Sequence, residues 1–484
     1  MIVVVAFNFR AVDRDQQFLM PPSMAEWLPE DHLAWFVVDV VDELDLAGFD
    51  ESYRLDGRGA AAYAPSMMVA VWLYAYCVGE QSSRRIERRC VEDVAFRVVA
   101  ANQQPDHCTI ARFRQRHAEA LSGLFAQVLA CCAAAGLVRV DLVAVDGTKM
   151  RANASKDANR LRDELAREVA GWLRDADDVD AAEDAEADGS RRERLAREER
   201  RQRIREALHQ APADTTSNQR VRRNVTDPDS RLMKGRQGFL QGYNGQAMAT
   251  VDLVVIAAEL SMNPIDRNQL LPMIETANKT LEVANVDAKI GVVVADAGYW
   301  SQHNATAEVD CELLIATTTA DKQAQGPHPG VAARIAADDQ ESIRDRAELD
   351  RRVDILERRD RGEITTEQAS GELGLSLGRT YALLARFRAA GRAGLISRRH
   401  RPNGQRRVDR VRGHMRVKHA MNEKLATDRG RTLYERRKAM IEPVFAQHKA
   451  VRGFDRFVCR GRRMCATEWK LMNTTHNLLK LWRR

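Results

Sequence analysis

From about Leu33 to Gly136 the apolar residues recur at the three- and four-residue spacing of buried helix faces, punctuated by prolines at 21, 22, 65 and 105. This pattern predicts an all-helical N-terminal domain of four or five helices. Within it, "SSRRIERRC" and "TIARFRQRH" each set several arginines, Arg112 and Arg114 among them, on helical turns behind a Ser or Thr suited to cap a helix start. Such helices either track phosphates or are amphipathic helices whose arginines are solvated. After Gly136 the period changes. "DLVAVDGTK" has the character of a buried strand ending at Asp146, and a domain boundary is expected just before it.

Residues 153–213 are dominated by Asp, Glu, Arg and Ala, which predicts one or two solvent-exposed helices or a partly disordered insertion without chemistry of its own. Strand-like runs resume with "FLQGYNGQAMATVD", "LVVIAAELS", "IGVVVADAGYW" and "CELLIAT", and a helical pattern over 268–284 separates the second from the third. That is a mixed α/β core. Between Gln340 and about Arg410 the strands stop, and the pattern has the outline of a helix-turn-helix: Ser370 faces the turn, Gly374 lies in it, and Leu377 to Arg388, with Arg379, forms a second helix of the kind that reads DNA. An unspecialised helical hairpin fits the same residues. The expected organisation is a helical domain over 1–136, the first part of a mixed α/β domain over 137–340 with its charged insertion at about 153–220, an inserted helix-turn-helix segment over 341–410, and the rest of the α/β domain over 411–484.

With 484 residues and 44% hydrophobic content the chain can bury a sizeable core. Lys and Arg outnumber Asp and Glu by 75 to 69, a net charge of +6 that permits nucleic-acid binding without proving it. Distribution says more, because "RRHRPNGQRRVDRVRGHMRVKH" in the last third is an electrostatic footprint suited to phosphates, though a solvated face reads the same way. The eight cysteines form no CxxC pair and no zinc-spaced cluster, and are expected to be reduced core residues in the cytoplasm. "MIVVVAF" lacks the basic flank of a signal peptide and the apolar run over 67–79 is too short to span a bilayer, so no membrane role is expected.

Attack on a phosphodiester needs cations that neutralise the phosphate and activate the nucleophile, and two metal ions about 3.5–4 Å apart do both. Mg²⁺ prefers hard oxygen ligands, so a few carboxylates on rigid elements suffice. Asp146 and Asp296 each end a β-branched run and precede a small residue, Gly147 or Ala297, which would project each carboxylate from a strand end; a lone Asp there is otherwise a turn residue. Glu442 lies in the basic helical stretch "YERRKAMIEPVFAQHKAVRGF", with Lys438 one turn before it and Lys449 two turns beyond, a carboxylate flanked by cations on one face. Pro443 predicts a kink or a fresh helix start at Glu442.

At these residues the chain resembles the bacterial insertion-sequence transposases with an RNase H-like domain and an Asp-Asp-Glu triad. Blocks in the family's order include "VAVDGTKM", "NVTDPDSRLMK", "QGYNGQAM", "VVADAGYWS", "MIEPVFAQHK" and "EWKLMNTTHNLLKL", besides two long N-terminal ones that begin "FLMPPSMAEWLPEDHLAWF" and "YAYCVGEQSSRRIERRC". The resemblance implies an α/β fold: an RNase H-like mixed sheet with flanking helices, preceded by the helical domain and interrupted by the helix-turn-helix segment, which the family normally lacks. It further implies Asp146, Asp296 and Glu442 as catalytic residues and ligands of two Mg²⁺ or Mn²⁺ ions. Tyr434, Arg437 or Lys438, Glu442 and Lys449 are similar to the family's signature for gripping the transposon end. Trp300 in "DAGYW" either stacks on an unpaired base or is a core residue. The implied partners are double-stranded DNA, both transposon ends and target, and a second copy of the chain on that DNA, close to the nucleoid. Two other readings stay open: a DNA-binding remnant or repressor without catalysis, and a nuclease that cuts without joining.

Overall fold

The computed structural model describes residues 23–51, 53, 61–169, 191–210, 222–235, 238–317, 346–391, 395 and 415–484. The basic run over 398–414 and parts of the charged segment, 170–190 and 211–221, lie outside them. Among the described residues the N-terminal stretch holds seven helices rather than four or five: α1 (Leu33–Glu43), α2 (Ala47–Asp50), α3 (Pro65–Cys77), α4 (Ser83–Glu92), α5 (Val94–Val99), α6 (His107–Arg116) and α7 (Ala118–Ala134). Pro65 starts α3, where a missing N–H costs nothing. The helix is then apolar on every side and buried from Met67 to Cys77, a core helix. The capping differs from expectation. Asp106, not Thr109, caps α6 by accepting the N–H groups of Cys108 and Thr109 at 2.8 and 3.0 Å, and Ser82 makes no side-chain cap on α4.

The sheet comprises β1 (Leu142–Arg151), β4 (Arg231–Gly235), β5 (Gly238–Thr250), β6 (Val255–Ser261), β7 (Val292–Ala295) and β8 (Glu312–Ile315); β2 (Asn159–Leu161) and β3 (Arg222–Asn224) form a separate pair, and α8 (Arg191–Gln210) stands in the charged segment. Its order is β4-β5-β1-β7-β8, with β6 also on β5: β1 is antiparallel to β5 and parallel to β7, which is parallel to β8. β5, at 13 residues, is long enough to pair with β4 over its first part and β6 over the rest.

β1 does not end at Asp146 as its sequence suggests. Its parallel partner β7 stops at Ala295, opposite Val145, but its antiparallel partner β5 runs on, so β1 continues to Arg151, opposite Gly242. Strand alternation splits the sheet between two cores. Val143, Val145, Val293, Ala295 and Ile315 pack with helix α9 (Leu270–Val283) and with Leu129 and Cys132 of α7. Ala144, Val292, Val294, Leu314 and Ala247 face the other way, into one cluster with α1, α3 and two late helices, α13 (Asp428–Ala446) and α14 (Arg462–Trp482). A short helix, α10 (Gln302–Ala305), links β7 to β8.

Between β8 and α13, α11 (Thr366–Leu373) and α12 (Leu377–Ala390) form a pair with its own small core of Leu356, Leu383, Leu384 and Leu395. Thr365 caps α11 in a reciprocal capping box with Gln368, and Gly374 ends it at φ 63°, a left-handed position suited to glycine. On either side of this segment, Thr317 after β8 hydrogen-bonds the side chain of Asn422, and Arg429 donates to Glu312 at 2.7 Å. The chain therefore leaves and returns beside β8, which lets the long segment protrude without parting α13 from the sheet.

α13 passes through Pro443 without the expected break. Ala439, whose carbonyl loses its donor, and Pro443 both lie on the exposed side of the helix, where water can satisfy that oxygen. The irregularity comes one turn later, in a π-helical stretch over Gln447–Val451. α14 locks the sheet from above: Trp469 is fully buried and donates its indole N–H to the Gln246 carbonyl at 3.0 Å, over Gly245, where a Cβ would lie 3.0 Å from the ring. Farther along, Asn477 brackets the Val255 backbone with two bonds of 2.9 and 2.8 Å. Trp469→Ala should lower stability by about 3–5 kcal/mol, read as a drop in the midpoint of thermal unfolding, because the emptied space cannot close on a rigid sheet.

Candidate active site

Asp146 and Asp296 arrive side by side by register. Val145 pairs with Ala295 in the last parallel step of β1 and β7, so the next residue on each chain is an aspartate, both on the face of Ala144 and Val294, toward α13. Asp296 does stand where its strand ends, and caps the turn Ala297–Tyr299 by accepting the Gly298 N–H at 2.8 Å. Asp146 accepts its neighbour Gly147's N–H at 2.7 Å and the Arg437 guanidinium at 2.9 Å.

The pair is charged against its surroundings. Burial, then the Asp296 charge, push the Asp146 carboxyl up to about 6 in spite of Arg437 and the Gly147 N–H. Asp296 is raised by burial and by Asp266, with the Gly298 N–H and Arg437 opposing. Burial works against the Arg437 charge, but Asp146, Tyr434 and Asp296 outweigh it and hold the guanidinium above its ordinary range. Tyr434 lies one turn before Arg437 on α13, and burial raises its phenol, with the Arg437 charge opposing and Asp296 adding to the rise.

The third carboxylate is placed differently. α13 turns Arg437, Met440, Ile441 and Val444 to the sheet, which leaves Glu442 half exposed. One guanidinium spans the gap, with Nη1 2.9 Å from Asp146 and Nη2 4.0 Å from Glu442. Among the described residues the only three Asp, Glu, His or Cys ligand atoms within 4.8 Å of one another belong to Asp106, His107 and Cys108, consecutive residues at the start of α6 where Asp106 is the cap and His107 bonds Glu87 at 2.8 Å. Asp146, Asp296 and Glu442 therefore do not form such a group, and it is Arg437 that reaches both Asp146 and Glu442.

Of the basic and aromatic candidates, Lys449 is carried by the π-helical turn to β1, where its ammonium donates to Thr148 Oγ1 at 2.6 Å and the Lys149 carbonyl at 2.9 Å. It does not flank Glu442 in the way an unbroken helix would have placed it. Lys438, Arg112 and Arg379 are exposed on α13, α6 and α12. Trp300 is half buried and packs against both cores. Arg114 is corrected outright: it is buried, stacked 4.7 Å over Trp72 and bonded to the Tyr76 hydroxyl, and so is closed to phosphates. The periodicity that put arginines on α6 was right, but one of them faces inward.

Sequence reasoning missed Asp266, Lys149, Asn244, Gln246 and Tyr299. Asp266, in the loop before α9, accepts from Lys149, Asn244 and Gln246, and Tyr299 hydrogen-bonds Gln246. A signal was present in β5, where "YNGQ" puts two amides into a run that is otherwise buried and apolar; buried amides need polar partners.

Two family models match the chain: the Transposase domain (DUF772) over residues 22–116 and the Transposase DDE domain over 398–482. The first covers the N-terminal helices to the end of α6, and the second takes in α13 and α14, including Tyr434, Arg437, Glu442 and Lys449, while Asp146 and Asp296 fall between the two. No curated protein and no solved structure matches. The two matched stretches stand at opposite ends of the sequence yet pack into one core around the sheet that bears the aspartates, and together they support an insertion-sequence transposase of the DDE type.

Proposed function

We propose that this transposase binds the ends of its element, cuts them and joins the freed 3′ hydroxyls to target DNA in a metal-dependent reaction without a covalent protein intermediate. The observation that carries the reading is the Asp146–Asp296 pair, set by register on one face of the sheet and covered by the helix that bears Glu442. The order β6-β5-β1-β7-β8, with an antiparallel first half and a parallel second half, supports an RNase H-like catalytic core over 137–340 and 411–484.

The residues fit divalent metal. The donor set is hard carboxylate oxygen, and the raised Asp146 and Asp296 mark a site short of positive charge. Asp146, Asp296 and Glu442 would hold Mg²⁺ or Mn²⁺, which would neutralise the scissile phosphate and activate the attacking oxygen. The chain's own groups do the rest. Arg437 orients Asp146, Tyr434 supports Arg437, and Lys438 with Lys449 provides positive charge for the phosphates of the transposon end. The helical domain over 1–136, with Arg112, and the 341–410 segment, read as a helix-turn-helix whose α12 presents Arg379, supply further DNA contacts. Two ends must meet, so a homodimer on nucleoid DNA is the expected assembly. Binding without cleavage remains the second reading, favoured by the guanidinium that stands between Asp146 and Glu442.

Asp146→Ala or Asp296→Ala should lower cleavage of a plasmid carrying the element's own ends by about a thousandfold or more and leave end binding nearly unchanged; normal cleavage by either variant refutes the assignment, and its absence in the unaltered protein leaves binding only. A pH dependence follows as well. A free aspartate titrates near 3.9, so the raised Asp146 contributes stability below that value and loses it as pH rises through about 6. Its protonated form holds no cation, and the Mn²⁺-induced rise in melting temperature should therefore be full near about pH 8 and fade below about 6. Arg379→Ala should weaken end binding by about 1 kcal/mol and reduce the salt dependence by about one charge, measured by fluorescence anisotropy across a salt series.

A further inference from the structure

Asp266 reaches the aspartate pair from the loop between β6 and α9. Its Oδ1 is fixed from three directions, by Asn244 Nδ2 at 2.6 Å, Gln246 Nε2 at 2.8 Å and Lys149 Nζ at 3.3 Å. Asn244 and Gln246 are fully buried and two residues apart on β5, directly across from Lys149 and Gly147 of β1. A Cβ on Gly147 would stand 2.6 Å from Asp266 Oδ1 and 2.3 Å from Gln246 Nε2, so the residue after Asp146 has no room for a side chain because this network occupies the place. That same point lies 2.9 Å from Asn244 Oδ1, a fully buried acceptor with no hydrogen-bond partner. The amide cannot be turned over to relieve it, since Nδ2 is held by both Asp266 and the Asn263 carbonyl.

The other oxygen of Asp266 lies on the side of Gly298 and Asp296. A Cβ on Gly298 would lie 3.5 Å from Asp266 Oδ2 and 2.9 Å from Asp296 Oδ1, so the two carboxylates border one point in space. Asp266 thus adds an acidic group near Asp296, with Arg437 paired to Asp146 and Lys149 paired to Asp266. Holding one carboxylate oxygen rigidly toward another is unfavourable unless a cation sits between them.

We propose that Asp266 is a fourth carboxylate of the centre, holding a divalent cation beside Asp296 through Oδ2 while Lys149, Asn244 and Gln246 fix Oδ1. The inference rests on the reading of Asp146 and Asp296 as a metal-binding pair. Asp266→Asn is a fine-grained test, because the remaining oxygen still accepts the three bonds while the atom turned to Asp296 becomes an NH₂ that cannot ligate a cation.

The measurement is Mn²⁺ binding to the full-length protein, with free Mn²⁺ followed by electron paramagnetic resonance, alongside Asp146→Asn and Asp296→Asn. Asp266→Asn should weaken binding by about tenfold or more, or remove one ion, with the metal-free melting temperature not lowered. Unaltered affinity and stoichiometry in Asp266→Asn, with binding lost in Asp146→Asn, overturns the role of Asp266 and leaves the pair intact. Unaltered binding in both Asp146→Asn and Asp296→Asn overturns the pair itself, and with it the proposal. If Asp266→Asn does not fold, Asp266→Glu takes its place: the added methylene moves the oxygen from its position by Asp296, a loss of about threefold or more is expected, and wild-type affinity there overturns the proposal equally.

Discussion

The parallel register of β1 against β7 is the constraint on which the site depends. Because Val145 lies across from Ala295, the next step brings two aspartates into neighbouring positions on the same face. A slip of one residue would turn one of them into the apolar core under α9, since successive side chains of a strand point to opposite faces. That slip is resisted by the cores themselves: Val143, Val145, Val293 and Ala295 fill one, Ala144, Val292 and Val294 the other. Ordinary hydrophobic burial on both faces of the sheet thus maintains an arrangement of like charges that repel.

The strain of that arrangement is met from the far end of the chain. Arg437 comes to Asp146 across 291 residues of sequence, and its burial is tolerable because a carboxylate and a phenol await it. α13 is held in turn by α14, whose Trp469 needs the bare backbone of Gly245 to seat its ring on β5. The segment with α11 and α12 interrupts this connection in sequence only. Its flanks close on each other at Thr317 and Asn422, and the carboxylate face is reassembled beyond it.

The guanidinium between Asp146 and Glu442, the ammonium of Lys449 on β1 and that of Lys149 on Asp266 each occupy a defined oxygen or carbonyl. The site is therefore an alternation of fixed charges of both signs rather than a bare acidic hole.

Much of this was legible from local pattern. Strand periods located β5 to β8, helical periods located α9, α11 and α12, and the glycine at 374 marked a turn, because each depends on residues within a few positions of one another. The two aspartates were legible as well, from β-branched runs followed by small residues. What no local pattern contains is partner length: β1 outruns Asp146 because β5 extends where β7 stops, and that is a property of three strands together. For the same reason Arg114 faces inward and Glu442 outward, since which side of a helix is buried depends on what packs against it. Asp266 belongs to the loops, where identity carries little period, and only tertiary packing brings its carboxylate to Lys149, Asn244 and Gln246. Sequence by itself marked two strand-end aspartates and many of the elements, though not the count of N-terminal helices or the true end of β1; the closing of distant segments on one sheet face decided which charges meet.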